Sequence, residues 1–305
     1  MARRVSLGEI RSRTYKRRDA WWTVWLVDPL ASRLVWLVAP WRWVTPNRLT
    51  TAAFAIGAGA AVCFWQGDYG WLVLGALLFH LSFVLDCMDG KIARLNRNGS
   101  VFGAWLDYVF DRLRVVVCTI GLFGGQFQRT GDFAYIWLAG LVVFLDMFRY
   151  LNALQMGKVK TVMRDNLTAL RGPEAEPVSF VEDEGDEHPE SMEAVSQAEN
   201  IVDVHSDFRN RFGLFIRFRN ALIRQRIRAH VLSGIEFMMF VFIVGPLVNW
   251  IVGVTLISSA LMAAFELLLI YKLFTATKTY ERKMAAGPKI PAQAPATDDV
   301  TAGVP

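Results

Sequence analysis

Near-continuous apolar runs recur along this chain at roughly the length a helix needs to cross hydrocarbon, about 20 residues. Six stand out, at 48–66, 71–93, 102–125, 133–155, 229–249 and 251–275, and they predict six transmembrane helices. The links between the first and second, third and fourth, and fifth and sixth runs are short, with Arg129 as their basic residue. The opposite side carries Arg3, Arg4, Arg11, Arg13, Lys16, Arg17 and Arg18 ahead of the first run, Arg94 and Arg97 between the second and third, and many more between the fourth and fifth. Basic residues favour the cytoplasmic side of a membrane. Both termini are therefore expected in the cytoplasm, together with the turn between the second and third spans. The expectation is an all-α integral membrane protein, multi-pass in the cell membrane.

Outside these runs the pattern changes four times. Residues 21–43, "WWTVWLVDPLASRLVWLVAPWRW", concentrate tryptophan and are interrupted by Asp28-Pro29 and Ala39-Pro40. Pro after a polar residue fits a helix start, and Trp with Arg favours the headgroup level, so an amphipathic helix lying in the interface is expected here; a short seventh span is the alternative. Residues 174–199 are strongly acidic, lack Lys and Arg and contain two prolines, a composition that cannot bury a core and predicts disorder. Residues 208–228, "FRNRFGLFIRFRNALIRQRIR", carry arginines with apolar residues at 208, 212, 215, 222 and 223, the spacing of a basic amphipathic helix. It suits anionic headgroups or a phosphorylated substrate, or else simply anchors the following span. The tail from about residue 284 is rich in Ala, Pro and Thr and predicts a disordered end. The expected organisation is 1–44 basic N-terminus and interfacial helix, 45–156 first four spans, 157–207 acidic insert, 208–279 basic helix and last two spans, and 280–305 tail.

Composition agrees with a membrane class: 53% of 305 residues are hydrophobic and the mean hydropathy is +0.29. The basic N-terminus runs into Trp-rich sequence with no short apolar core and cleavage site, so the first span is expected to act as its own insertion signal. Cys63, Cys87 and Cys118 stand singly within expected spans and read as small apolar residues. The net charge of +5 comes from membrane-proximal arginines and gives no separate reason to expect nucleic acid as a partner.

One stretch contradicts its apolar surroundings. "DCMDGKIARLNRNGSVFGAWLDYVFD", residues 86–111, places four aspartates between two spans. Asp86, Asp89, Gly90, Ala93 and Arg94 fall at i, i+3, i+4, i+7 and i+8, one stripe of a helix, and Gly103, Asp107 and Asp111 are spaced by four on the next. The intervening turn, roughly 95–101, makes the helices antiparallel neighbours whose stripes can face each other. A carboxylate near the middle of a span costs about 2.5 to 3.5 kcal/mol on insertion scales, so four together demand compensation. Hard divalent cations supply it: all-oxygen ligation suits Mg2+, Mn2+ or Ca2+ rather than zinc, and two such ions balance four aspartates. Gly90 lets a bulky ligand approach the backbone, and Arg94 offers a planar fork for phosphate oxygens. Paired ions beside an Arg suit a pyrophosphate undergoing in-line displacement. A cation pathway or proton relay also uses intramembrane carboxylates, but it leaves the glycines and Arg94 without a role.

Residues 86–111 meet every fixed position of D-x-x-D-G-x-x-A-R-x8-G-x3-D-x3-D, and on this motif the chain resembles the CDP-alcohol phosphotransferase family. "TPNRLT", residues 45–50, is similar to the P-N-x-x-T element of the family's first span. The resemblance implies six spans behind an interfacial helix and takes in most of residues 28–275. It implies two divalent cations, Mg2+ or Mn2+, one held by Asp86, Asp89 and Asp107 and the second by Asp86, Asp107 and Asp111, with Asp111 as the base. It assigns Gly90 and Arg94 to the CDP moiety, brings Asn47 and Thr50 toward the nucleotide, sets Ser100 where a hydroxyl can reach a phosphate, and leaves Gly103 to helix packing. The implied reaction is attack by an alcohol hydroxyl on the phosphorus distal to cytidine, with release of CMP, as in phospholipid biosynthesis. The implied partners are a CDP-linked lipid or alcohol donor, an alcohol acceptor, the lipid membrane and, in similar proteins, a second copy of the chain.

Acceptor hints point two ways. "LDYVFDR", residues 106–112, is similar to phosphatidylinositol-phosphate synthases, although Arg114 stands where an acidic residue is often seen; Lys91 in "DGKIAR" is closer to the amino-alcohol phosphotransferases. For a phosphorylated acceptor the arginines from 209 to 228 are the candidates. Of the other polar residues in expected spans, Asp146 and Arg149 are expected to pair with each other, Glu236 and Glu266 to line the site or meet a basic residue, and His80 to be structural. A divalent-cation transporter is the alternative from a different class.

Overall fold

The computed structural model describes residues 6–41, 43–170, 179–180, 201–202, 225–227 and 234–285. They form α1 (Leu7–Thr14), a π-helical turn (Thr23–Val27) leading into α2 (Asp28–Val38), α3 (Pro46–Gln66), α4 (Tyr69–Asn96), α5 (Val101–Thr130), α6 (Ala134–Ala169), α7 (Gly234–Leu247, with a π-helical middle at Phe240–Val244) and α8 (Ile251–Ala285). The sole strands among the described residues are Ser179–Phe180 and Ile201–Val202, paired in parallel. Otherwise the described chain is helical, and α3, α4, α6 and α8 are each long and apolar enough to cross a membrane. The helix where the third span is expected, α5, carries Asp107, Asp111, Arg112 and Arg114 within its apolar sequence, and α7 is shorter.

Local chemistry sets the helix ends. Pro46 opens α3, where its missing N–H is no loss. Gly67 and Gly131 close α3 and α5 in the left-handed region, at φ 74° and 69°. The turn between α4 and α5 ends at Ser100, whose hydroxyl accepts the Gly103 N–H at 2.9 Å as an N-cap. Pro29 lies in the first turn of α2, as the sequence leads one to expect.

The chain divides into two compact units, Met1–Ala153 with Leu214–Leu269, and Leu154–Gly213 with Ile270–Pro305. In the first, α3 packs on α4 and α5 through small residues. A Cβ at Gly121 would collide with the Ala61 carbonyl, and one at Gly125 would come within 2.6 Å of the Phe64 carbonyl oxygen. Small residues let helix backbones approach this closely, which maximises packing where apolar burial alone cannot drive association. Asp28, Ala31, Ser32 and Val35 form the buried face of α2 and Leu30, Trp36 and Leu37 its exposed face. The aromatic core includes Phe64, Phe79 and Phe242.

In the second unit Met163 and Leu167 meet Ala276, bordered by Val159, Leu170, Tyr280 and Met284, and Asn166 donates to the Tyr280 hydroxyl at 2.9 Å. The acidic insert expected from residue 157 therefore gives way to helix as far as Ala169. Val159, Met163, Leu167 and Leu170 make a helical stripe that has something to bury against. Within 208–228, residues 225–227 are turn and bridge: Arg226 has φ 62° and Ile227 forms a parallel bridge with Asp19. The rest of that basic stretch, the acidic stretch 174–199 apart from Ser179 and Phe180, and residues 286–305 lie outside the described residues.

Candidate active site

The expected site is built by α3, α4 and α5. Asp86 and Asp89 project from one stripe of α4 and Asp107 from α5, and each offers a carboxylate oxygen, all within 4.8 Å of one another. Asp89 is buried, and the Thr50 hydroxyl of α3 donates to its Oδ2. Three converging carboxylates from two helices, with one oriented by a hydroxyl, provide the hard-oxygen donor set that Mg2+ or Mn2+ requires. A divalent cation fits them.

Asp111, one turn beyond Asp107, turns elsewhere. Its Oδ1 accepts from Arg114, and its Oδ2 lies 3.9 Å from the Arg112 guanidinium. Arg114 also donates to Asp86 Oδ1 at 3.4 Å and to the Ser82 hydroxyl at 3.1 Å. Of the four aspartates expected to hold metal, the structure groups three and ties the fourth to arginine.

The residues expected to meet a nucleotide surround this group. Gly90 lies under the Arg94 side chain: a Cβ there would sit 3.4 Å from one guanidinium nitrogen. Arg94 Nε donates to the Thr14 carbonyl at 2.9 Å, so the C-terminal end of α1 fixes the guanidinium from outside, where a cation favours the helix dipole. Asn47, in the first turn of α3, reaches across to α5, and a Cβ on Gly103 would stand 2.7 Å from its Oδ1 and 2.9 Å from Ser100 Oγ. Gly103 thus serves close packing. Thr50 is 3% exposed and committed to Asp89, which makes it a support for the carboxylates.

Comparison with known proteins now adds to the geometry. Residues 43–169 match the family model described as CDP-alcohol phosphatidyltransferase. They belong to that family. Over 84 residues the chain is 39% identical to the CDP-diacylglycerol--glycerol-3-phosphate 3-phosphatidyltransferase of Cereibacter sphaeroides, covering 27% of this chain and 38% of the relative. It is 34% identical over 88 residues to the phosphatidylinositol phosphate synthase of Corynebacterium glutamicum, covering 29% and 37%. Over 68 residues it is 38% identical to the bifunctional IPC transferase and DIPP synthase of Aquifex aeolicus, covering 22% and 15%. The matched stretches therefore span less than two fifths of each of these relatives.

The described residues hold polar contacts that the sequence pattern did not bring out. Asp146 of α6 pairs with Arg112 of α5, whereas a partnership with Arg149 was expected. Three residues apart on one helix, Asp146 and Arg149 need not meet when Asp146 faces a guanidinium on the neighbouring helix. Arg112 also stacks over the Tyr150 ring, 3.6 Å from its centroid. Arg149 instead lies 3.8 Å from Glu266 of α8, which accepts from Asn152 at 2.7 Å. Glu236 of α7 accepts the Trp21 N–H at 3.1 Å, and His80 sits edge-on to Trp22.

Lys91, the residue that resembled the amino-alcohol enzymes, is buried against Asp28 of α2 at 2.6 Å and lies over the Tyr15 ring. Its ammonium joins α4 to the N-terminal helices and does not face the carboxylate group. Arg114 could have been paired with Asp111 from "DRLR", residues 111–114, because a basic residue three beyond an aspartate shares its helix face, whereas Arg112, next to Asp111 in sequence, faces Asp146 of α6.

Proposed function

We propose that this chain is a membrane transferase of phospholipid biosynthesis. It moves a phosphoalcohol group, phosphatidyl when the donor is CDP-diacylglycerol, from a CDP-linked donor to an alcohol hydroxyl and releases CMP. The observation that carries the proposal is the convergence of Asp86, Asp89 and Asp107 beside Gly90 and Arg94, within residues that match the family.

Gly90 and Arg94 bind the CDP moiety, Gly90 by leaving room at the backbone and Arg94 through its phosphates, with Asn47 and Ser100 at the opposite wall. Asp86, Asp89, Asp107 and Asp111 hold two divalent cations, Mg2+ or Mn2+, which when bound neutralise phosphate charge and stabilise the leaving group. Asp111 takes the proton from the acceptor hydroxyl as its oxygen forms a bond to the phosphorus distal to cytidine. The bond from that phosphorus to the bridging oxygen breaks, and CMP carries the electron pair away. The hydroxyl approaches from the side of α6, where Arg112, itself held by Asp146 and Tyr150, lies beside Asp111. The names of the relatives favour a polar acceptor: glycerol 3-phosphate stands in one and a phosphatidylinositol phosphate product in another.

In the proposed membrane arrangement α3, α4, α5, α6, α7 and α8 mark six spans. The exposed Trp25, Trp36, Trp41 and Trp43 lie at the headgroup level along an interfacial helix, and both termini and the active site face the cytoplasm. The basic residues around α1 and the turn after α4 support that sidedness.

The test is purified chain with CDP-diacylglycerol, Mg2+ and a panel of alcohols that includes glycerol 3-phosphate, inositol phosphate, inositol, serine and ethanolamine. CMP and a new phospholipid are expected in equal amounts with one of them. Divalent-cation flux into proteoliposomes with no CMP from any alcohol would move the chain to the transporter class.

A further inference from the structure

Arg114 is 3% exposed and is held from three helices. On α5 its guanidinium donates to Asp111 and on α4 to Asp86 and Ser82. Ser82 in turn donates to the Ala53 carbonyl of α3 at 2.7 Å, so its lone pairs face the arginine. Gly57 of α3 makes room for the stem, because a Cβ there would stand 2.8 Å from Arg114 Cδ. A guanidinium cannot lose its charge, and one this buried leaves its partners only at the expense of unpaired charge. Meanwhile Asp86, Asp89 and Asp107 form a group of three whose oxygens approach one another without Asp111.

We propose that Arg114 divides metal loading into two unequal steps: a tight one at Asp86, Asp89 and Asp107, and a weaker one that requires Asp111 and must compete with the guanidinium for it. The inference rests on reading these aspartates as metal ligands. Arg114 is then a positioning residue. It holds the Asp111 carboxylate apart from the group of three and supplies one fixed positive charge against four carboxylates. A second ion sharing Asp86 and Asp111 meets that charge at contact distance on both ligands. One neighbouring charge shifts proton binding by about ten- to a thousand-fold, so the second step is expected to be at least about tenfold weaker than the first.

Titration of the full chain in nanodiscs with Mn2+ alone, read by calorimetry and by the electron paramagnetic resonance of free Mn2+, tests this. Wild type is expected to take up one Mn2+ tightly and a second at least about tenfold more weakly. Arg114→Met should bring the two steps together, and Arg114→Lys, which keeps the charge, should leave them apart. Two equal steps in wild type, or an unchanged weak step in a folded Arg114→Met, would overturn the proposal while leaving the transferase reading intact. Should Arg114→Met fail to fold, the wild-type isotherm and Arg114→Lys decide: merged steps in either count against it. No Mn2+ uptake at all would overturn both this proposal and the metal-dependent function.

Discussion

At the scale of residues, the site depends on groups that orient the aspartates as much as on the aspartates themselves. Thr50 donates to Asp89, and removal of such a supporting hydrogen bond commonly lowers metal affinity by about 10- to 100-fold. Thr50→Val, nearly the same shape, is expected to weaken the first Mn2+ step on that scale while leaving the fold intact, as a Mn2+ titration and a melting curve would report. An unchanged affinity would mean that the hydroxyl serves only to cap its own helix, through its 3.1 Å contact with the Pro46 carbonyl. The motif residues were legible because a helix repeats every three to four positions and Asp86, Asp89 and Gly90 keep that period. Arg114 was legible only as a neighbour of Asp111, three positions before it, and its reach to Asp86 and Ser82 on α4 was not. Asp146 shows the same limit: sequence distance favours Arg149, but packing delivers Arg112.

Among elements, the N-terminal helices are tied to α4 by charge. Asp28 of α2 and Lys91 of α4 are both buried and meet at 2.6 Å, Arg226 approaches Asp28 at 3.6 Å, and Tyr15 donates to the Asp28 carbonyl at 3.2 Å. Removing one partner of a buried pair leaves an uncompensated charge and destabilises by about 3–5 kcal/mol. Asp28→Ala should therefore lower stability on that scale, measured by denaturation in detergent, and Lys91→Met added to it should recover much of the loss. A double variant no better than Asp28→Ala would place the cost in packing instead of charge. None of this was visible in the Trp-rich pattern of 21–43, which announces a membrane-facing helix but not the partner of its one buried acid. Of the expected spans, α3, α4, α6 and α8 stand out by length and apolarity. Asp107, Asp111, Arg112 and Arg114 dilute the same signal in α5.

On the scale of the whole molecule, the aspartates, Thr50 and Arg94 all belong to the first compact unit, and the acidic stretch 174–199 lies wholly outside the matched 43–169. Indeed the stretch begins five residues after that match ends. Deleting 174–199 is accordingly expected to leave CMP release within about threefold of wild type, because no residue of the proposed chemistry is removed; a loss of turnover would assign the stretch a part in catalysis. The central claim is that Asp111 deprotonates an alcohol in a metal-dependent transfer from a CDP-linked donor. Its most direct test is CMP release by the full chain with CDP-diacylglycerol and the responding alcohol, compared between wild type and Asp111→Asn in Mg2+ and in chelator. Wild type should release CMP only with Mg2+, and Asp111→Asn should be slower by about 10^2- to 10^4-fold with donor binding retained. Undiminished release by Asp111→Asn, or equal release in chelator, would contradict the account.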